Sequence, residues 1–299
     1  MKRKIFFLLS IVFFFGAWFL NSYNLNQNPL QNSANLAEER ASFSTKLLWL
    51  EQAPQKYKDE VTPPNVQEVK YQSGNLLLKA WMSKAPQDGK KHPAVVYLHG
   101  GFSFAQSDWD VTVPYLNARF VVMTPMLRGE NGNPGNFEFF YGEVDDAIAA
   151  GHYVSRLPYV DAEKVFVSGH SIGGTLSMLS AMLPSPFAAA ASFSGSPEQK
   201  SYFESWKDYV PFDLNNPQEI HLRSPIEFPD SIRHPLFLFA GSSEEYFIEK
   251  NRQFGKDCQK LGKTCKVFVV EGDHSTALPP SIEQSIQLFL QVASAKHKS

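Results

Sequence analysis

Beyond residue 65 the apolar positions fall into short, nearly uninterrupted runs set between polar stretches. "VQEVKYQ" and "NLLLKAWM" alternate apolar and polar residues and meet at Ser73-Gly74, a pattern that predicts a β-hairpin. Six further runs follow: "AVVYLHG", "FVVMTP", "VFVSGH", "AAASFSG", "PLFLFAG" and "KVFVVEG". Each is short, rich in β-branched or aromatic residues, and apolar almost throughout, as expected of strands covered on both faces of a parallel sheet. Helical spacing fills the gaps. One helix is expected over Gly142 to Arg156, with Glu143, Asp145 and Asp146 in its first turn. Another is expected over 281–295, with Ile282, Ile286, Phe289 and Leu290 on one face. The alternation predicts an α/β protein: a mostly parallel eight-stranded sheet with an antiparallel start and helices on both faces.

The first 61 residues have a different texture. Lys2, Arg3 and Lys4 precede "IFFLLSIVFFFGAWFL", a run without a charge. A basic head before such a run reads as a signal for export, to the periplasm or the outside. The run falls short of the ~20 apolar residues of a spanning helix. No clear small-x-small cleavage site follows it, so a signal peptide and an uncleaved anchor holding the chain to a membrane through residues 5–20 both stay open. Residues 21–61, rich in Asn, Gln and Ser, read as a linker or stalk with a short helix somewhere in 36–50. Pro63 and Pro64 mark entry to the domain, 62–299.

Composition narrows the class. A chain of 299 residues with 43% hydrophobic residues has enough apolar material for one large domain, and a net charge of −2 argues against a nucleic-acid partner. The two cysteines, Cys258 and Cys265, flank a helix end and a strand start, and in an exported protein a disulfide between them is expected. Two thiols without a nearby histidine pair do not predict a metal site.

The chemistry gathers where the predicted parallel strands end. After "VFVSGH" come Ser171 and Ile172, with Gly169 and Gly173 two places to either side of the serine. A strand turning at once into a helix leaves no room for side chains at those flanks, and it thrusts the apex residue outward; this is the G-x-S-x-G elbow of a nucleophile. A serine hydroxyl needs a base, and His274, after the last strand, is the candidate. A carboxylate must orient that base. Glu244 is the first choice and Glu245 the second, both after "PLFLFAG", while Asp273 is too close in sequence to orient its neighbour's ring. For the oxyanion, donors are expected from the N–H of Ile172 and from the "HGGF" turn, with Gly101 first and Phe102 second. His99 and His170 read as structural.

The order serine, acid, histidine resembles that of the α/β-hydrolase superfamily. Within it, the stretches "VVMTPMLRGENGNPGNFEFFYGEVDDAIAAGHYV", "YVDAEKVFVSGHSIGG" and "RSPIEFPDSIRHPLFLFAG" are similar to the prolyl oligopeptidase and dienelactone hydrolase-like branch, covering about residues 62–295. The resemblance implies an α/β-hydrolase fold and an acyl-serine mechanism with no cofactor. There are departures. The peptidases of that branch carry a β-propeller that ~40 linker residues cannot supply, the acid here is Glu rather than Asp, and the nucleophile is serine where dienelactone hydrolases use cysteine. These differences favour a carboxylesterase acting on small to medium esters. A small peptidase or amidase with short peptide substrates, and a non-catalytic binding protein on the same fold, are the alternatives. Residues 196–234, carrying Tyr202, Phe203, Trp206, Tyr209 and Phe212, are expected to form a cap over the pocket.

Overall fold

Successive side chains of a strand point to opposite faces of its sheet, and the apolar runs use this to feed two cores at once. The computed structural model describes residues 35–295. The segment expected as an export signal or anchor lies outside the described residues. Among those described, no helix is long and apolar enough to cross a membrane.

The eight strands are β1 (Val66–Ser73), β2 (Leu76–Ser83), β3 (His92–Leu98), β4 (Val121–Pro125), β5 (Val160–His170), β6 (Ala190–Phe193), β7 (Leu236–Gly241) and β8 (Cys265–Val270). They form one sheet in the order β1-β2-β4-β3-β5-β6-β7-β8. The β1–β2 and β2–β4 pairs are antiparallel, and every other pair is parallel. On one face Ala94, Val96 and Leu98 of β3, Val165 and Val167 of β5, and Leu236 and Leu238 of β7 share a core. On the other, Val95, Tyr97, Phe166, Phe237 and Phe239 share the second.

Nine α-helices are described: α1 (Leu36–Ser42), α2 (Gln106–Asp110), α3 (Val113–Asn117), α4 (Gly142–Ser155), α5 (Ile172–Met182), α6 (Lys200–Ser205), α7 (Pro217–His221), α8 (Glu245–Lys260) and α9 (Leu278–Ala295). The first core takes Val144 and Val154 of α4, Leu176 and Leu179 of α5, and Phe254 of α8. The second takes Trp109 of α2, Tyr115 of α3, and Ile282, Ile286 and Phe289 of α9.

Two regions depart from expectation. The stretch read as a stalk lies against the domain from residue 35 onward. Leu36 is fully buried, and its N–H donates to Ser231 Oγ at 3.0 Å. Residues 43–57 then continue as an extended strap, with a β-bridge between Leu47 and Phe212. The second departure is a correction: the expected disulfide is not formed. Cys258 and Cys265 are free, buried thiols. They pack as small apolar groups in the first core, and a hydrogen bond between the thiols, with burial, drives the Cys258 pKa up. The tie that spacing suggested as covalent is made instead by polar bonds, Lys263 N–H to Cys258 O at 3.0 Å and Gln259 Nε2 to Cys265 O at 2.7 Å.

The insertion at 196–234 both covers core and reaches solvent. Phe203, Phe212 and Leu222 are buried, whereas Trp206 and Tyr209 are exposed.

Candidate active site

Ser171 stands between β5 and α5 with φ 54° and ψ −112°, a conformation that a residue with a side chain holds only when its surroundings over-determine it. The surroundings are tight. A Cβ on Gly173 would lie 2.1 Å from Leu98 O, and one on Gly169 would lie 2.3 Å from Gly173 O. Both glycines are therefore required by the backbone itself, as the elbow reading expects. The Ser171 N–H is held by Phe193 O at 2.8 Å.

His274 lies in the turn after β8, where its Nδ1 meets Glu244 Oε1 at 2.6 Å. Glu244 is buried at the end of β7, whereas Glu245 is exposed at the start of α8, so of the two candidate acids Glu244 is the one that meets the imidazole. The second carboxylate oxygen accepts from Ser194 Oγ at 2.5 Å and from Gly241 N–H at 2.6 Å. Burial alone would raise the pKa of this carboxyl. The bonds from His274, Ser194 and Gly241 outweigh burial and hold it below the usual range. Asp273 is occupied in its own turn, accepting from the N–H groups of Ser275 and Thr276 and from Thr276 Oγ1.

Nδ1 being taken, Nε2 is the nitrogen of His274 available to Ser171. No hydrogen bond joins the two residues in this structure. Bonds of that kind are often long until substrate arrives. The rings of His170 and Phe247 pack on that of His274, with centroids 4.6 and 5.7 Å away, and His170 Nε2 donates to His274 O at 2.8 Å. Burial and the neighbouring His274 push the His170 pKa down to about 4. His170 thus anchors the histidine turn to the elbow as a neutral ring.

The "HGGF" turn abuts the elbow. A Cβ on Gly100 would sit 3.6 Å from Ser171 Cβ. Gly101 takes a positive φ of 68°, which favours glycine. Ile172 opens α5, so its N–H is among those a helix cannot satisfy internally. The third expected donor, Phe102 N–H, is bonded to Gln55 Oε1 of the strap at 3.0 Å.

His99 holds this turn from beneath. Its Nδ1 faces Gly100 O at 2.9 Å and its Nε2 faces Glu130 Oε2 at 3.0 Å. Two acceptors on two ring nitrogens call for an imidazolium. Burial opposes that charge, but Glu130 prevails and raises the pKa to about 9. The fold thus holds the proton to higher pH than an unfolded chain, where the value is 6.5. The stability linked to this proton is complete below pH ~6.5 and lost as pH rises through about 9. Thermal melts across that window should show Tm falling with pH, and Glu130→Gln should flatten the fall.

Sequence reasoning missed Ser194 and Gln55. Ser194 directly follows β6 at a strand's carboxyl end, a position that could have flagged it.

An aromatic wall borders the turn. The Phe102 ring contacts Phe137 and Phe139 at 5.3 Å each, Trp206 at 5.9 Å and Tyr209 at 6.1 Å.

A serine at such an elbow and a carboxylate-bound histidine after the last strand, both on this sheet, define an α/β-hydrolase. The chain belongs to the prolyl oligopeptidase family, whose model matches residues 108–290, and is a serine hydrolase of that family. It is 25% identical over 187 residues to YtmA, an uncharacterized peptidase of Bacillus subtilis, covering 58% of this chain and 72% of that protein. It is 26% identical over 245 residues to acylamino-acid-releasing enzyme 1 of rice, covering 71% of this chain but 31% of that enzyme. Among solved structures, an esterase of Pyrococcus furiosus superposes with TM-score 0.64 at 16% identity, over 81% of this chain and 98% of the esterase. The acylaminoacyl peptidase of Pyrococcus horikoshii superposes with TM-score 0.60 at 18% identity, over 76% of this chain and 40% of the peptidase.

Proposed function

We propose that the protein is an exported carboxylesterase cleaving small to medium apolar esters through an acyl-serine intermediate. Ser171 Oγ attacks the ester carbon while His274 Nε2 takes its proton. Glu244 stays ionised, fixes the ring's tautomer and stabilises the imidazolium. The oxyanion is met by Ile172 N–H and by the Gly101–Phe102 turn, with Phe102 N–H among its donors. The imidazolium then protonates the departing alkoxide, and water repeats the sequence on the acyl-enzyme. The observation that carries this reading is the 2.6 Å bond between Glu244 and His274 beside a strained serine elbow.

The aromatic wall supports an ester with an apolar acyl group, and the extent shared with the Pyrococcus esterase agrees. The peptidase name of the Bacillus relative and the acylamino-acid-releasing activity named for the rice relative favour the second reading, a peptidase or amidase. Kinetics on p-nitrophenyl esters and aminoacyl p-nitroanilides decide between them. We expect kcat/KM for butyrate at least about 100-fold above that for any anilide; anilides turned over as well as esters would overturn the ester reading. Trp206→Ala should raise KM for the butyrate ester about 3- to 10-fold with kcat little changed, as loss of apolar contact predicts. Export is part of the same proposal and is tested by cell fractionation, while N-terminal sequencing of the mature protein reports whether the leader is removed.

A further inference from the structure

The strap crosses the end of the sheet that carries the candidate site. Leu48 N–H donates to Pro211 O at 2.6 Å, Phe137 N–H to Glu51 O at 3.0 Å, and Ala53 N–H to Gly129 O at 2.9 Å. Gln52 Nε2 reaches Gly135 O at 3.0 Å. Beyond Ala53 the strap inserts one polar group into the turn beside Ser171. Gln55 Oε1 accepts the Phe102 N–H at 3.0 Å and lies 2.7 Å from where a Cβ on Gly101 would project.

That oxygen belongs to a carboxamide, the same kind of acceptor as the acyl oxygen of an ester or amide. It occupies the donor side of the turn expected to receive the oxyanion. The residues that bring it there, Pro54 to Tyr57, are exposed. The contact is a neutral, partly buried hydrogen bond, weaker than the charge-assisted bond an oxyanion would make to the same donor.

We propose that Gln55 is a built-in competitor for the oxyanion turn, displaced when substrate binds, so that the 53–57 end of the strap regulates access to the site. The proposal rests on reading residues 100–102 as that turn. Binding the acyl oxygen then exchanges one acceptor for another at Phe102 N–H, and the strap end lifts with its side chain.

The test is a comparison of wild type with Gln55→Ala and Gln55→Glu, using p-nitrophenyl butyrate kinetics and the rate of fluorophosphonate labelling. One ordinary hydrogen bond corresponds to about 5-fold. Gln55→Ala should therefore raise kcat/KM and the labelling rate about 3- to 10-fold, chiefly through KM. Gln55→Glu, whose carboxylate holds the N–H more firmly and repels an oxyanion, should lower both. Hydrogen exchange across 51–57 should quicken in the phosphonylated wild type. A slower Gln55→Ala would make Gln55 a support of the turn and overturn the proposal. An active wild type with unmoved variants would overturn it alone. A wild type that neither hydrolyses esters nor takes the label would overturn the site reading, and the proposal with it.

Discussion

Ser171→Ala is expected to lower kcat for p-nitrophenyl butyrate by about 10,000-fold or more and to abolish fluorophosphonate labelling, because no other hydroxyl stands at the apex of the elbow. His274→Ala should cost a similar factor. The double variant should be no worse than either single one, since a nucleophile and its base fail as a unit. Glu244→Gln should lose about 100- to 10,000-fold: an amide keeps the shape but can leave the ring in the wrong tautomer. Glu245→Gln, exposed at the start of α8, should stay within about 2-fold. Steady-state kinetics on correctly folded variants check the series. Activity surviving in Ser171→Ala, or equal losses from the two glutamates, would mean that the machinery lies elsewhere.

The largest stability effect is expected at Arg223. This guanidinium is fully buried, bonded to Glu219 Oε2 at 2.6 Å, Phe139 O at 2.8 Å and Thr45 Oγ1 at 2.8 Å, and it lies 3.9 Å above the Phe212 ring. Removing one partner of a buried ion pair leaves the other charge unpaired, at a cost of about 3–5 kcal/mol. For a domain of this size that is a fall in Tm of roughly 5–10 °C. Arg223→Ala should show it in a thermal melt. Arg223→Lys should recover little of it, since an ammonium cannot reproduce the planar fork. A shift under about 2 °C for Arg223→Ala would refute the assignment. The same arginine steadies a strained loop. Phe139 and Phe140 have φ of 51° and 75°, and Glu143 accepts the N–H groups of Glu138, Phe139 and Tyr141.

The strands, the elbow and the order of candidate site residues were legible because each leaves a local trace: period-two apolar runs, glycines forced by backbone contact, polar residues where strands stop. Glu244 and Glu245 could be ranked but not separated, because only the start of α8 turns one inward and the other out. The strap was not legible. Most of its contacts are made by main-chain N–H and C=O groups, which every residue carries, and its own side chains are largely exposed. The Arg223–Glu219 pair was hidden for a related reason. An i, i+4 charge pair normally decorates a helix surface, and only the packing of Glu219 and Arg223 against the strap and Phe212 makes it a core element. For the cysteines, sequence spacing carried no information on whether two neighbouring thiols are joined.

The strap has a consequence for the order of events during synthesis. Residues 43–57 leave the ribosome early, yet their partners at 129–137, 211–212 and 219–223 are made much later. The ribbon must wait undocked until residue 223 has been made, when β1 to β6 exist and β7 and β8 do not. A segment translated early thus docks late.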